Sequence, residues 1–479
     1  MLIGRTYERT RLEEAYGSGR AEFVAVYGRR RIGKTFLVRE TFGKRFFFRH
    51  TGKSGMGSGE QLAAFRKSLL AHGLKDCPTL CRWSDAFEML KKLIASSRVR
   101  RKVIFIDELP WMDTPRSKFV PEFEYFWNDW ASARSDVMLI VCGSATSWII
   151  GKIVKNKGGL HNRLTMQLAL QPFTLGECEQ YAASQGLDFS RRDLGELYMV
   201  FGGVPYYWSL LRKGNSIAKS IDSLFFAPGG ELALEFDQLY SSLYNNPEPY
   251  QAVIEALGSR RTGLTRDELL AMAKLPSSGN STRILNDLEQ CGFIRRYQMF
   301  GNRSKGMIYQ LVDAFTLFVL QFVRNNRDAD PRFWSSAFGT SVHNVWSGLA
   351  FERLCLSHVD QIKHALGIFG VKTSAAAWRH APDDEHTSGA QVDLLIDRAD
   401  NVINLCEMKY SASAYELTAK REDELRERRA TFLAVTETNK TVMTTIVTTV
   451  GLKRNKYCGA VQSEIVLNDF FSEIRDPRL

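Results

Sequence analysis

Short continuous apolar runs punctuate the first third of the chain: 23–27 (Phe-Val-Ala-Val-Tyr), 103–106 (Val-Ile-Phe-Ile) and 137–142 (Val-Met-Leu-Ile-Val-Cys). Each reads as a strand buried on both faces. Helical periodicities separate them up to about residue 170, and this alternation predicts an α/β fold with a parallel sheet covered by helices on both sides. Residues 171–243 read as mostly helical. Three short amphipathic helices are expected at 249–257, 265–273 and 281–291, followed by a β-hairpin at 293–297 and 307–312. From about residue 331 a helical segment, 345–356, precedes strand patterns at 391–396 and 402–409. The expected domains are therefore 1–170, 171–243, 244–325 and 331–479. No internal repeat or low-complexity tract interrupts this order.

Composition narrows the class. A chain of 479 residues exceeds what one core holds, and its 44% apolar content is that of a globular protein. No apolar run approaches the ~20 residues that span a bilayer, and the first eleven residues are already charged, so no membrane partner and a soluble, cytoplasmic protein are expected. The eight cysteines are scattered, with only Cys77 and Cys81 close together, which reads as free and mostly buried thiols. The formal charge of +11 suits a polyanionic partner such as DNA, although a nucleotide site or solubility alone accounts for a basic surface equally well.

The chemistry is most legible directly after the first strand. Gly28-Arg29-Arg30-Arg31-Ile32-Gly33-Lys34-Thr35 fits GxxxxGK[ST]. Two glycines let the backbone wrap a phosphate with its N–H groups, and the helix starting near Lys34 presents its positive end. Lys34 is expected to reach the β and γ phosphates of ATP and Thr35 the Mg²⁺ ion, with Gly28, Arg31, Ile32, Gly33 and Phe36 completing the cradle. The bland alternative is a glycine turn capping a helix. A second apolar strand ends in Asp107-Glu108 about seventy residues on, where Asp107 can hold Mg²⁺ and Glu108 can polarise the attacking water. A third strand ends in Ser144-Ala145-Thr146-Ser147, hydroxyls that either sense the γ-phosphate or cap a loop. Arg163, in a basic glycine-containing loop, can stabilise phosphate charge in this molecule or across a homo-oligomer contact; surface charge is the other reading.

Leu2-Ile3-Gly4-Arg5-Thr6-Tyr7-Glu8-Arg9, the phosphate loop, the strand into Glu108, Gln171-Pro172-Phe173-Thr174 and Gly202-Gly203-Val204-Pro205-Tyr206 together resemble the archaeal-type ATPases related to the STAND and AAA+ classes. The resemblance spans essentially the whole chain. It implies a P-loop NTPase sheet with a helical lid, then a winged helix, then an α/β restriction-endonuclease-like domain. It also implies that Arg5 lies by the adenine and Pro205 in a lid over the nucleotide. On residues alone, Gly202-Gly203-x-Pro205 is a helix breaker.

Three helices and a hairpin make a winged helix. If it binds DNA, Asn280, Ser281 and Arg283 face the major groove, with Arg295, Arg296, Arg303 and Lys305 meeting phosphates on or near the wing. A spacer or protein contact is the alternative. Further on, Glu407 and Lys409 alternate along one strand and project from one face, with Asp393 fourteen residues earlier in another. Asp393 and Glu407 can hold Mg²⁺ against a scissile phosphate while Lys409 orients water. The pattern resembles the D…ExK core of PD-(D/E)xK nucleases, and Glu352 matches the acid that many of them carry on their first helix. Val392 stands where that family has proline, and a charged edge of a half-buried sheet explains the same residues blandly. Lys453, Arg454 and Lys456 form a basic loop that either meets a nucleic-acid backbone or is simply solvated.

These readings converge on an ATPase acting as a nucleotide switch coupled to a DNA-binding, Mg-dependent endonuclease-like domain. The alternative keeps the ATP switch and makes the C-terminal fold an inactive DNA- or protein-binding platform. A GTP-dependent signalling protein ranks below both, because no Asn-Lys-x-Asp stretch supplies guanine recognition.

Overall fold

Odd and even positions along the first strands go to different cores, which is the physical signature of a sheet covered on both faces. Phe23, Ala25, Ile104, Ile106, Leu139 and Val141 join one buried cluster, with Trp83, Phe87 and Phe119 from the covering helices. Val24, Val26, Val103, Phe105, Met138 and Ile140 join the other, with Leu12, Leu37 and Phe42. The structure, a computed structural model, describes residues 2–144, 146–154, 158–160, 162–244, 246–301, 307–324, 326, 330–382 and 389–474. The chain divides into two compact units, Met1–Gln171 with Asp476–Leu479, and Pro172–Arg475.

The first unit holds strands β1 (Glu22–Tyr27), β2 (Phe46–Thr51), β3 (Lys102–Asp107), β4 (Val137–Gly143) and β5 (Met166–Ala169). They form one sheet in the order β2-β3-β4-β1-β5, parallel throughout. Insertion of β4 between β1 and β3 brings the ends of β1, β3 and β4 side by side. Arg101 fixes the opposite edge of the sheet. Its guanidinium donates to the carbonyls of Ala15, Arg20 and Ser135 at 2.7, 2.6 and 2.6 Å.

In the second unit, helices Leu175–Ser184 and Arg191–Phe201 each start on a capping box, Thr174 with Glu177 and Ser190 with Asp193. Gly202 ends the second of these helices at φ 59°, as its position before Gly203 and Pro205 predicts. Helices Glu248–Gly258, Arg266–Met272 and Gly279–Gln290 follow, with β6 (Leu264–Thr265), β7 (Ile294–Gln298) and β8 (Met307–Leu311) forming a three-stranded antiparallel sheet ordered β6-β8-β7.

The remaining strands are β9 (Thr373–His380), β10 (Ala390–Arg398), β11 (Val402–Lys409), β12 (Tyr415–Glu416), β13 (Thr441–Thr448), β14 (Leu452–Lys453) and β15 (Ser463–Val466). Five of them make a mixed sheet, β15-β13-β11-β10-β9, with β9, β10 and β11 antiparallel and β11, β13 and β15 parallel; β12 and β14 pair separately. Trp378, Val392, Leu395, Leu405 and Val442 on this sheet bury against Phe432 of helix Ala419–Thr436. All eight cysteines are free thiols, six of them buried. Among the described residues no helix is long and apolar enough to cross a membrane.

Candidate functional site

The phosphate-loop residues sit between the end of β1 and helix Lys34–Phe42 in backbone conformations that the sequence permits only partly. Gly28 and Gly33 take φ of 142° and 89°, and Arg31 takes φ 70° between them. An arginine in the left-handed region carries a cost of roughly 1–3 kcal/mol, the kind of strain that collects at binding loops. The Lys34 ammonium is buried and donates to the carbonyls of Gly28 and Arg29, both at 2.9 Å, so it folds back along the concave side of its own loop. Ile32 packs into the core, whereas Phe36, two residues into the helix, is 49% exposed.

Thr35 and Asp107 come from opposite ends of a 72-residue separation, and their side chains meet: Thr35 Oγ1 donates to Asp107 Oδ2 at 2.8 Å. The other carboxylate oxygen accepts from the backbone N–H of Glu108 at 2.9 Å and from the Cys142 thiol at 2.6 Å. Burial, reinforced by the Asp107 charge, pushes that thiol well above its ordinary value, so it stays a protonated donor. A hydroxyl and a carboxylate in contact beside a phosphate-binding loop are the hard oxygen donors that Mg²⁺ takes, and the donor set therefore fits that ion. Glu108 stands just past β3 at φ 49°, and its carboxylate accepts from Ser144 twice, from the backbone N–H at 3.2 Å and from Oγ at 2.7 Å. Ser144 thus orients the acid directly beside Asp107.

Arg5 is buried, and its guanidinium reaches the carbonyls of Gln171 at 2.6 Å and Ile32 at 3.4 Å. It clasps the phosphate loop itself. Arg163 is exposed, its backbone N–H closing a turn on the Leu160 carbonyl at 3.1 Å. Pro205 opens the short helix Pro205–Ser209 in the second unit.

The second unit carries the other acids. The β10–β11 ladder pairs Leu394 with Cys406, the residues that adjoin Asp393 on one strand and Glu407 on the other. Gln391 donates to Asp393 Oδ1 at 2.5 Å. Glu407 is held by two cations: Lys409 Nζ at 2.6 Å, as the alternation along β11 predicts, and the Arg428 guanidinium from helix Ala419–Thr436. Glu352, on helix Ser341–Ser357, pairs with Arg353 at 2.6 Å. Burial raises its carboxyl above the usual range, Arg353 opposes the shift and the Asp393 charge adds to it, so these two acids share one electrostatic environment. Among the described residues no group of three or more His, Cys, Asp or Glu side chains gathers as a metal site.

Two wing and helix residues depart from expectation. Ser281 is buried and donates to the Pro276 carbonyl at 2.6 Å, because it closes the turn that starts its helix rather than facing outward. Arg295 turns inward, donating to Gln310 Oε1 at 2.8 Å and lying 4.6 Å over the Tyr297 ring; burial pushes it down to about 10. Asn280 and Arg283 remain exposed and bonded to each other at 2.8 Å, and Arg303 and Lys305 lie outside the described residues. Sequence reasoning missed Cys142, Arg353 and Arg428. Cys142 had a signal, since it stands two residues before the named Ser144; Arg428 had none, being one of many charges in a long helix.

A family described as an ATPase domain predominantly from Archaea matches residues 2–211. An uncharacterised protein of Methanocaldococcus jannaschii is 24% identical over 371 residues, 74% of this chain and 76% of that protein. Among solved structures, a Walker-type ATPase of Pyrococcus abyssi is 15% identical with a TM-score of 0.48, covering 67% of this chain and 96% of that one. The ORC2 protein of Aeropyrum pernix, in ADPNP–ADP complexes, is 15% identical with a TM-score of 0.39, covering 70% and 96%. The family match, the phosphate loop and the all-parallel sheet that carries it identify the N-terminal part of this chain as a P-loop ATPase domain.

Proposed function

We propose that the chain is an Mg-ATP-dependent switch whose second unit binds DNA and cuts it. The observation that carries the nucleotide half is the contact of Thr35 with Asp107 beside Lys34. In this reading Lys34 leaves its loop carbonyls for the β and γ phosphates, and the loop N–H groups take the remaining phosphate charge. Thr35 and Asp107 would hold Mg²⁺, which would supply neutralisation of phosphate charge. Glu108 orients and polarises the attacking water, kept in place by Ser144. Gly28, Arg31, Ile32, Gly33 and Phe36 shape the cradle, Arg5 braces it, Pro205 belongs to a lid, and Arg163 serves a phosphate in the same or a neighbouring copy.

For the second unit, the order of helices 248–290 with the hairpin of β7 and β8 supports a winged helix, and the placement of Glu352, Asp393, Glu407 and Lys409 on a helix and a mixed sheet supports a PD-(D/E)xK-like core. Asp393 and Glu407 would be the Mg²⁺ ligands and Lys409 the group that orients water. The second reading, an inactive platform, is favoured by one observation: Lys409 and Arg428 together neutralise Glu407.

Steady-state ATPase and DNA-cleavage assays on purified protein separate these. Lys34→Ala is expected to abolish ATP hydrolysis, and Glu108→Gln to lower kcat by about 10²-fold or more with ATP still bound. Glu407→Ala is expected to abolish Mg²⁺-dependent cutting with ATPase intact. Cutting that survives Glu407→Ala sinks the assignment of the nuclease-like site; no cutting by the parent chain favours the platform.

A further inference from the structure

The two sheets of the second unit are joined where the antiparallel hairpin runs onto the edge strand β9. Met299 bridges Ala377 in parallel, Phe300 N–H donates to the Ala377 carbonyl at 2.8 Å, and the Phe300 ring lies 5.4 Å from that of Phe432. At this junction opens a cavity of about 510 Å³. Met272, Met299 and Ile308 give it apolar wall, Tyr297 and Gln391 give it hydrogen-bonding edges, and Asp393 stands in its lining. Arg260, from the loop between helix Glu248–Gly258 and β6, and Arg379 of β9 line it as well, both exposed to solvent. Glu268 lines the same cavity, and the charges of both arginines add to what the Thr265 cap does to that carboxyl, holding it below its usual range.

Size and lining together select a ligand. A volume of this order takes one small ligand, within the range of about 300–1,000 Å³ usual for such sites, and does not admit a base pair with both its strands. An apolar wall beside two arginines suits a nucleotide, whose base is flat and poorly solvated and whose phosphate is anionic. The acid that the proposed function makes a metal ligand lines the same space.

We propose that this cavity receives an unpaired nucleotide of a DNA strand, so that the second unit acts on single-stranded ends or overhangs rather than on uninterrupted duplex. The base lies against Met272, Met299 and Tyr297, Arg260 and Arg379 take the flanking phosphates, and the strand is led toward Asp393. The inference rests on the DNA-binding reading of the second unit and specifies its substrate.

Fluorescence anisotropy on the full chain, with Ca²⁺ replacing Mg²⁺, tests it with three labelled probes: a blunt duplex, the same duplex bearing a short overhang, and the single strand. The overhang and single strand are expected to bind about tenfold more tightly than the blunt duplex. Arg260→Ala and Arg379→Ala are expected to erase that preference, with thermal unfolding unchanged as the control for folding. Equal affinity for blunt and overhang probes overturns the inference while leaving DNA binding intact. So does a uniform loss across all three probes in the variants, which marks the arginines as general backbone contacts. Failure of every probe to bind overturns the DNA-binding reading itself.

Discussion

Gly28 and Gly33 bound the same phosphate loop, yet the structure constrains them differently. At Gly28 a Cβ would stand 2.5 Å from the Leu170 carbonyl oxygen and 2.6 Å from Ile32 Cδ1, at φ 142°. At Gly33, φ is 89° but nothing lies within 4 Å of a Cβ. Gly33→Ala therefore costs only backbone strain, about 1–2 kcal/mol. Gly28→Ala adds a clash with backbone that has no rotamer to escape into, and is expected to cost more than that. Urea denaturation of the two variants measures the difference, and a larger loss in Gly33→Ala would contradict the close approach of Leu170. The same scale shows what a motif hides. The spacing of Lys34, Thr35, Asp107 and Glu108 was legible as a candidate site because phosphate chemistry calls for those residue types in that order. The thiol that fixes Asp107 had only its place two residues before Ser144 as a signal, since a buried cysteine in an apolar strand otherwise reads as packing.

At the scale of elements, the two motifs Gln171-Pro172-Phe173-Thr174 and Gly202-Gly203-Val204-Pro205 turn out to be one structure. Phe173 N–H donates to the Gly203 carbonyl at 2.7 Å, Tyr198 OH donates to the Phe173 carbonyl at 3.0 Å, and Trp208 Nε1 donates to the Gly202 carbonyl at 2.8 Å. A Cβ on Gly203 would lie 1.8 Å from the Phe173 carbonyl oxygen, so two backbone segments touch where only glycine fits. Gly203→Ala is expected to separate them and to lower the thermal midpoint by several degrees, whereas Val204→Ala, which removes two buried methyl groups, costs about 1–2 kcal/mol. Differential scanning fluorimetry ranks the two; equal shifts would contradict the contact. Sequence supplied the helix stop at Gly202 but not the reason for the second glycine, because that reason is a segment thirty residues away in the chain. A comparable link joins Glu196, which accepts from His343 Nε2 at 3.0 Å and from Tyr410 OH at 2.5 Å, tying helix Arg191–Phe201 to helix Ser341–Ser357 and to the residue that follows Lys409.

Across the whole molecule, acidification reaches each unit through a buried histidine, His50 in the first and His358 in the second. Burial pushes His50 down to about 4, with the Lys53 charge adding, and does the same to His358. His358 must be neutral, since its Nε2 accepts the Leu175 backbone N–H at 3.1 Å. A histidine whose pKa falls on folding stabilises fully above its ordinary value near 6.5, and that contribution is lost as pH falls toward about 4. Each group is expected to give a slope of about 1.4 kcal/mol per pH unit across that window. Denaturant titrations at successive pH values check the sign, and stability that is flat or rising on acidification would refute it. Replacing either histidine with glutamine should flatten the slope for its own unit.

Sequence alone determined the elements whose cause is local. Buried strands, capped helices, glycine-bent loops and the alternation of Glu407 with Lys409 all follow from backbone sterics, hydrogen-bond satisfaction and a side-chain period of two. It also pointed to phosphate binding after the first strand, where two glycines, a lysine and a threonine take the GxxxxGK[ST] spacing. Only the tertiary structure decided which distant groups meet: Thr35 with Asp107, Glu108 with Ser144, Glu407 with Arg428, Phe173 with Gly203. It also turned Arg295 and Ser281 inward against expectation. Those pairings depend on the order of strands in a sheet and on packing between helices, and strand order is fixed by the whole core rather than by any segment of it.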